Sequence, residues 1–450
     1  MREVVSGEQN VVKLLGKQKP KDVKYRLMRY VLKAECNDGT LLHNVITGQL
    51  VLLDSQEAEL LNLLPSKRDW PMTELIENSF LVPEDYDEKA VVHKLRTLMK
   101  RLFAPKGINN YLILTTTNCN ARCPYCFENG VRLMNMTSST AEKVIEYIVS
   151  HKSKQEIELH WFGGEPLVGV ERIDQICEGL KNREVGFKSV MTSNGFLFSE
   201  ERVKWASEKW NLKLVQITLD GTEAVYNRVK GYVSTEKSPY RIVMRNVELL
   251  LEAGIHVILR LNLDEQNGDD LRRLVDQLDS RFPEKERLSV YVSKIDAVRP
   301  DVEEKKLEGT LAALNDYIDE RGMSKRDPVL LSLKTNSCMA DSDEAVVIYP
   351  DGRLGKCETI RDDEVFGHID SDTANGKTEL YKEVFEYSYC RDCPIYPSCI
   401  LLRRCPTKQR EQYQMCQRSI KKYQEDMIAR YLLSDASGGN NHSNNFVNAL

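Results

Sequence analysis

Three cysteines, Cys119, Cys123 and Cys126, stand in the short run Cys119–Asn120–Ala121–Arg122–Cys123–Pro124–Tyr125–Cys126. They directly follow Tyr111–Thr117, an apolar stretch that reads as a strand. Three thiolates on one loop are chemistry that holds metal. A structural zinc site normally takes four protein ligands, and no fourth Cys or His is nearby. A four-iron cluster held by three thiolates instead leaves one iron open to a substrate or cofactor.

Seven further cysteines crowd the C-terminal part: Cys338, Cys357, Cys390, Cys393, Cys399, Cys405 and Cys416. Cys36 and Cys177 are isolated, which completes the twelve in 450 residues. The start of the chain lacks a secretory pattern, and no apolar run approaches the roughly 18–20 residues of a membrane span. The expectation is a soluble, cytoplasmic protein, where disulfides are uncommon and cysteines more often hold metal. With 63 Lys+Arg against 68 Asp+Glu the net charge is −5. That balance argues against a generic polyanion binder, so neither nucleic acid nor membrane is expected as a partner.

The elements that must position these thiols follow from periodicity. Residues 108–330 alternate strand and helix: strands at Tyr111–Thr117, Glu156–Phe162, Lys188–Thr192, Leu214–Leu219, His256–Asn262 and Leu288–Ser293. Helical patterns fall between them at Ser139–Ser150, Ile173–Lys181, Glu200–Lys209, Ser238–Ala253 and Asp270–Arg281. Six such units predict an α/β fold, a partial (β/α)6 barrel with its active site at the C-terminal strand ends. Residues 1–107 carry a hairpin signal, Asn37–Asp38–Gly39, then helical patterns at Asp54–Leu64, Met72–Ser79 and Glu88–Phe103. That order reads as a winged-helix-like domain, with an ordinary α/β module as the plain alternative. Residues 331–433 are cysteine-rich with a final helix near Ser419–Leu433, and 434–450 reads as a disordered tail.

The Cys-x3-Cys-x2-Cys spacing, with Tyr125 before the last cysteine, resembles the signature of radical S-adenosylmethionine (SAM) enzymes. In that family the open iron chelates SAM, and reductive cleavage yields a 5′-deoxyadenosyl radical that abstracts a substrate hydrogen. The resemblance continues in order along the barrel. Gly163–Gly164–Glu165–Pro166 stands where the family's GGE receives the cofactor's amino group, and Ser193–Asn194–Gly195 resembles the S/T-N-G near the ribose. Thr218–Leu219–Asp220–Gly221 stands where the subgroup usually has Ser-Leu-Asp-Gly. Ten residues after that Asp, Lys230 replaces the Arg that faces the cofactor carboxylate, giving the charge without the bidentate fork. The resemblance thus implies cofactor contacts from Tyr125, Gly163, Gly164, Glu165, Ser193, Asn194, Thr218 and Lys230.

The C-terminal cysteines resemble the SPASM extension of the same family, except that five residues separate Cys399 from Cys405 where three are usual. A pair of zinc knuckles is the plainer alternative. The resemblance implies two auxiliary four-iron clusters, for three [4Fe-4S] clusters in all. Cys390, Cys393, Cys399 and Cys416 would hold one, and Cys338, Cys357 and Cys405 the other. Seven cysteines for eight ligand positions leave one iron open to a substrate thiolate, unless Asp341 or Asp343 completes it.

Within this subgroup the resemblance implies a maturase of a ribosomally made precursor peptide, whose leader binds residues about 20–105 by strand addition. The expected reaction is a thioether crosslink from Cys sulfur to carbon, of the ranthipeptide or sactipeptide type. A one-electron reductant such as a flavodoxin or ferredoxin would feed it. Carbon–carbon crosslinking and formylglycine formation on a sulfatase use the same cluster set, and a zinc-binding winged-helix regulator is the non-enzyme alternative. No general base is identified by the sequence.

Overall fold

The computed structural model describes residues 1–65, 72–103, 106–234, 238–295, 304–324, 328, 330–336, 338–358, 365–371, 390, 392–399 and 412–436. The N-terminal segment opens with strand β1 (Arg2–Val5) and helix α1 (Gln9–Leu15), followed by β2 (Tyr25–Leu27). Strands β3 (Val31–Cys36) and β4 (Gly39–Asn44) form the expected hairpin, with Cys36 paired to Gly39 around the Asn37–Asp38 turn. Gly39 takes φ +141°, and a Cβ there would fall 2.0 Å from the Leu53 carbonyl, so this corner requires glycine. Next come β5 (Leu50–Leu53), α2 (Ser55–Leu60), α3 (Thr73–Glu77), β6 (Leu81–Pro83) and α4 (Glu88–Phe103). Asp54 and Glu57 cap α2 reciprocally, satisfying two of the backbone donors that a helix start leaves orphaned. The antiparallel sheet runs β1-β5-β4-β3, so β1, which periodicity alone did not reveal, occupies one edge.

The strand–helix alternation then begins. Its elements are β7 (Asn110–Leu114), α5 (Ser138–His151), β8 (Ile157–Phe162), α6 (Val170–Asn182), β9 (Phe187–Ser193) and α7 (Glu200–Glu208). The series continues through β10 (Leu212–Leu219), α8 (Glu223–Lys230), α9 (Pro239–Glu252), β11 (His256–Leu263), α10 (Gly268–Arg281), β12 (Leu288–Lys294) and α11 (Glu304–Glu320). Each expected strand is present within two or three residues of its expected bounds. Helices α8 and α11 are additions to the sequence reading. Strands β7 to β12 are parallel and lie side by side in chain order, without the reversal that marks a doubly wound sheet. A short strand β13 (Ala345–Ile348) pairs parallel to β7, and β14 (Arg353–Gly355) and β15 (Gly367–His368) extend that edge as an antiparallel ribbon.

Helix spacing explains the packing. On α6, Ile173, Ile176, Cys177 and Leu180 form one buried face at i, i+3, i+4 and i+7. They share one buried core with alternate strand residues such as Leu159, Trp161, Val215, Ile217, Val257, Leu259 and Leu261. The other strand face carries His160, Thr192, Gln216, Thr218, Asn262 and Tyr291. One face is therefore apolar and covered by helices, and the opposite face mixes these polar side chains with Leu112, Leu114, Val190 and Ile258.

By its contacts the chain divides into two units. Met1–Ala104 groups with Arg326–Asp341 and Glu379–Leu450, and Pro105–Lys325 groups with Ser342–Thr378. The last helix, α12 (Gln412–Ala436), belongs to the first unit and continues through Ser434, where the sequence suggested a tail. In that unit Tyr396, Met427, Tyr431, Leu331 and Leu333 share a core with Tyr30, Leu41 and Leu53. Tyr30 and Tyr396 stack with centroids 5.9 Å apart, and Arg96 Nη2 donates to the carbonyls of Tyr396 and Pro397 at 2.9 and 3.0 Å. The cysteine-rich stretch is thus shared between the two units because its apolar residues complete a core that residues 1–104 only begin. Among the described residues no helix is long and apolar enough to cross a membrane.

Candidate functional site

The cysteine loop starts where β7 ends, and neighbouring strand ends hold it. Gly163 has φ +126°, and a Cβ on it would fall 2.2 Å from the Thr116 carbonyl. A Cβ on Gly164 would fall 2.4 Å from the Asn118 carbonyl. Gly164 N and Glu165 N donate to Thr116 O and Asn118 O at 3.2 and 2.9 Å. The two glycines therefore let the turn after β8 seat against the residues that lead into Cys119. On the far side, Arg122 N donates to Lys230 O at 3.0 Å and Val233 N to Asn120 O at 2.8 Å. The end of α8 fixes the middle of the loop, a support that the sequence reading missed.

Cys119, Cys123 and Cys126 are half-buried. Burial pushes the Cys119 thiol up to about 11, helped by Glu165 and the other two cysteines and opposed by the Ala121 amide. Cys126 is also raised, chiefly by burial. Such thiols stay protonated near neutrality unless a metal takes the proton's place. Among the described residues, no three Cys, His or carboxylate side chains converge on one point as a single ion demands.

Glu165 is fully buried. Its carboxylate accepts from Ser193 Oγ at 2.9 Å, Asn194 N at 2.8 Å and Leu167 N at 3.2 Å. Burial pushes its carboxyl up to about 7 against the pull of these donors. The structure thus places Glu165, Ser193 and Asn194 together as a tie between the ends of β8 and β9. Asn194 Nδ2 continues to Asn120 Oδ1 at 2.7 Å and lies 3.8 Å from Cys119 Sγ.

A second polar group closes the other side. Tyr125 donates a short hydrogen bond to Asp220 Oδ1, and Asn262 Nδ2 donates to both Tyr125 OH and Asp220 Oδ1 at 3.1 Å. Lys230 Nζ lies 2.7 Å from Thr218 Oγ1, 3.1 Å from Tyr125 OH and 3.1 Å from Asp220 Oδ2. Lys230 and Asp220 are each 2% exposed, a buried ion pair. Burial by itself would lower the lysine, but Asp220, with Tyr226 and Cys123, holds it above its ordinary value. Burial and the Asp220 charge together raise the Tyr125 phenol. The lysine expected to face a cofactor carboxylate is thus already neutralised by Asp220. Asn262 and Asn120 are members that the sequence reading missed. The only trace of Asn262 in the sequence was its place at the end of the fifth strand, whereas Asp220 was visible within its motif.

Polar atoms without partners gather at this end of the sheet. They include Asn120 Nδ2 and Glu128 Oε1, both buried, in a group whose burial would otherwise be costly. Two raised thiols, an asparagine pair and unsatisfied donors and acceptors fit a zwitterionic, polar cofactor beside a cluster.

The remaining cysteines fall in different places. Cys390, Cys393 and Cys399 are half-buried in the first unit, and Cys393 N donates to Cys390 O at 3.3 Å. Burial raises the Cys393 thiol. Cys338 is exposed, and its backbone N donates to Asp341 Oδ1 at 3.0 Å, so that carboxylate is engaged in a local turn. Cys357 is half-buried in the second unit. Cys405, and the side chain of Cys416, lie outside the described residues. Cys36 sits in the β3–β4 hairpin and Cys177 is fully buried in α6.

Residues 113–278 match the model of the radical SAM superfamily. The cysteine-type anaerobic sulfatase-maturating enzyme of Clostridium novyi is 23% identical over 335 residues, 65% of this chain and 87% of that protein. The radical SAM cyclopropyl synthase TigE of Paramaledivibacter caminithermalis is 24% identical over 256 residues, covering 46% of this chain and about half (53%) of TigE. Two solved structures share the fold. Native anSMEcpe with bound AdoMet superposes over 72% of this chain and 99% of its own with a TM-score of 0.56 at 17% identity. Streptococcus suis SuiB bound to precursor peptide SuiA covers 83% and 94% with a TM-score of 0.51 at 14% identity. The matched span begins within β7 and ends in α10, enclosing every strand end that builds the thiol loop and its supports, so residues 113–278 form a radical SAM domain.

Proposed function

We propose that this enzyme matures a ribosomally made precursor peptide by joining a cysteine sulfur to a carbon of another residue. The carrying observation is the three-thiol loop pinned against the Glu165–Ser193–Asn194 tie and the Tyr125–Asp220–Lys230 group. Cys119, Cys123 and Cys126 would hold a [4Fe-4S] cluster and the tie would border SAM, a pair that would supply radical hydrogen abstraction at the acceptor carbon. The chain's own residues do the rest. Gly163 and Gly164 keep the loop in place, Asn194 bridges loop and tie, and the Lys230–Asp220 pair keeps the phenol of Tyr125 fixed. The seven C-terminal cysteines would hold two auxiliary clusters that accept the surplus electron.

For the peptide, the first unit offers a small antiparallel sheet, and strand addition to it is the proposed mode of leader capture. SuiB, whose fold is similar, was solved with its precursor peptide, which supports a peptide substrate here. A second reading, formylglycine formation, rests on the sulfatase-maturating relative, 87% of whose length aligns. Mass spectrometry of a precursor treated with the anaerobically reconstituted enzyme separates the two. A thioether removes two hydrogens and keeps sulfur, whereas formylglycine replaces sulfur with oxygen. A product that lost sulfur would overturn the thioether reading. With Cys119, Cys123 and Cys126 all changed to Ala, SAM cleavage should vanish while the remaining iron persists; cleavage that survives would remove the cluster assignment.

A further inference from the structure

Past the end of β9 the chain bends through Asn194, Gly195 and Phe196, and each backbone N–H and C=O of these residues has a side-chain partner. Asn194 N donates to Glu165 Oε2 at 2.8 Å, Gly195 N to Ser193 Oγ at 3.0 Å and Phe196 N to Asn194 Oδ1 at 3.0 Å. Tyr232 OH donates to Asn194 O at 3.3 Å, and Asn246 Nδ2 to Gly195 O and Phe196 O at 2.9 and 3.3 Å. The Tyr232 ring stacks on Phe196 with centroids 4.6 Å apart. Asn246 is 4% exposed, among Val243, Val247 and Leu250 on the buried face of α9. An amide is tolerated there because the two carbonyls of the bend take its hydrogens. The bend is therefore set by α9 and by Tyr232 as well as by its own Ser193–Asn194–Gly195 motif.

What the bend fixes is the Asn194 side chain. Its Nδ2 lies 2.7 Å from Asn120 Oδ1 and 3.8 Å from Cys119 Sγ. Ala121 N donates to the same sulfur at 3.4 Å. Among the described residues neither Cys123 nor Cys126 has a side-chain donor at its sulfur. A thiol that binds metal gives up its proton, and the sulfur then becomes a stronger acceptor. The amide of Asn194 would then stand between two acceptors, the Asn120 carbonyl and the Cys119 thiolate.

We propose that Asn194 donates to the metal-bound sulfur of Cys119 and holds the reduction potential of that centre up, with Asn246 as its positioning residue. A hydrogen bond to a ligating sulfur favours the reduced cluster, which carries the extra negative charge. The role of Asn246 is indirect: it fixes two carbonyls of the bend, and the bend aims the Asn194 amide. This inference rests on the reading that Cys119, Cys123 and Cys126 hold a cluster.

The test is an anaerobic redox titration of the reconstituted full chain, followed by electron paramagnetic resonance. The relevant cluster is identified as the one whose signal changes when SAM is added. A parent enzyme without such a signal overturns the cluster reading and this proposal with it. With the signal present, Asn194→Leu should lower its midpoint, making reduction about tenfold less favourable, or about 59 mV for one electron. Asn246→Leu should move the midpoint the same way by less. Asn120→Ala removes the competing acceptor, so the midpoint should rise. Opposite shifts for Asn194→Leu and Asn120→Ala are what a hydrogen bond to sulfur demands. A merely structural role would lower melting temperature and iron content while leaving the midpoint of the remaining cluster unmoved. That pattern, or shifts of the same sign in both variants, overturns the proposal while leaving the cluster reading intact. If Asn194→Leu holds no cluster, Asn246→Leu and Asn120→Ala decide in the same way: opposite shifts support the proposal, and common or absent shifts overturn it.

Discussion

Lys230 shows how a side chain expected to meet a ligand is spent on the protein itself. Its ammonium is buried against Asp220, and removal of one partner of such a pair leaves an uncompensated charge. Lys230→Met should therefore cost about 3–5 kcal/mol in thermal or denaturant unfolding. The double variant Lys230→Met/Asp220→Leu should recover most of it; a Lys230→Met enzyme as stable as the parent would show the pair to be dispensable. His43 provides a pH signature in the first unit. It is buried, its Nε2 lies 2.7 Å from Leu331 O, and burial pushes it down to about 4. The unfolded chain, with His near 6.5, binds the extra proton first. Stability is therefore full above about pH 6.5 and is lost as pH falls through 4, by about 3 kcal/mol. Denaturant unfolding across that window should show the slope, and His43→Gln should flatten it.

Among the elements, the turn after β8 and strand β1 make the sharpest demands. Gly163→Ala places a Cβ against the Thr116 carbonyl at a positive φ, so both sterics and backbone strain oppose it. A loss of about 2–4 kcal/mol is expected from these two effects, together with less iron bound after reconstitution, because the same turn seats the cysteine loop. Normal stability and iron content would show that the turn can shift. Strand β1 is short and half-exposed, and its register against β5 breaks between Glu3 and Val5. The opposite edge strand, β3, is approached by α12, whose Gln424 donates to Lys33 O at 2.7 Å. If a leader adds a strand here, β1 holds its place. Deleting residues 1–6 should then raise the affinity of a labelled leader in fluorescence anisotropy, and an unchanged affinity would exclude the β5 edge.

At the scale of the whole molecule, the ends of the chain depend on each other. Met427 and Tyr431 bury in the core formed by residues of the N-terminal segment, and Tyr431 OH donates to Asp38. Truncation before Gln412 should expose that core and destabilise the first unit by roughly 3–6 kcal/mol, from two large side chains at about 1.5–3 kcal/mol each. Hydrogen exchange should show the loss in β3–β5 and not in β7–β12. It also follows that residues 20–105 are not a detachable module, because their deletion would leave Leu331, Tyr396 and Met427 without their partners.

Local signals were enough for much of this protein. The six parallel strands were legible because each is a short apolar run followed by a helix with one buried face. The thiol loop and the glycine, asparagine and aspartate turns were legible because each ends a strand and carries its own residue pattern. What periodicity could not supply were facts about partners. Helix α8 was overlooked in the turn that follows Asp220, yet its last residues hold the cysteine loop. That Asp220 pairs with Lys230 was not legible, because two residues ten apart meet only when strand and helix fold back on each other. Glu165 reaches Ser193 and Asn194 only through the pairing of neighbouring strands. The C-terminal cysteines divide between two units because apolar residues between and beyond them complete a core begun some 300 residues earlier, where Arg96 bonds to Tyr396 and Pro397. Side-chain periodicity encodes which face of an element is buried, but contact between distant elements is set by the folded chain as a whole.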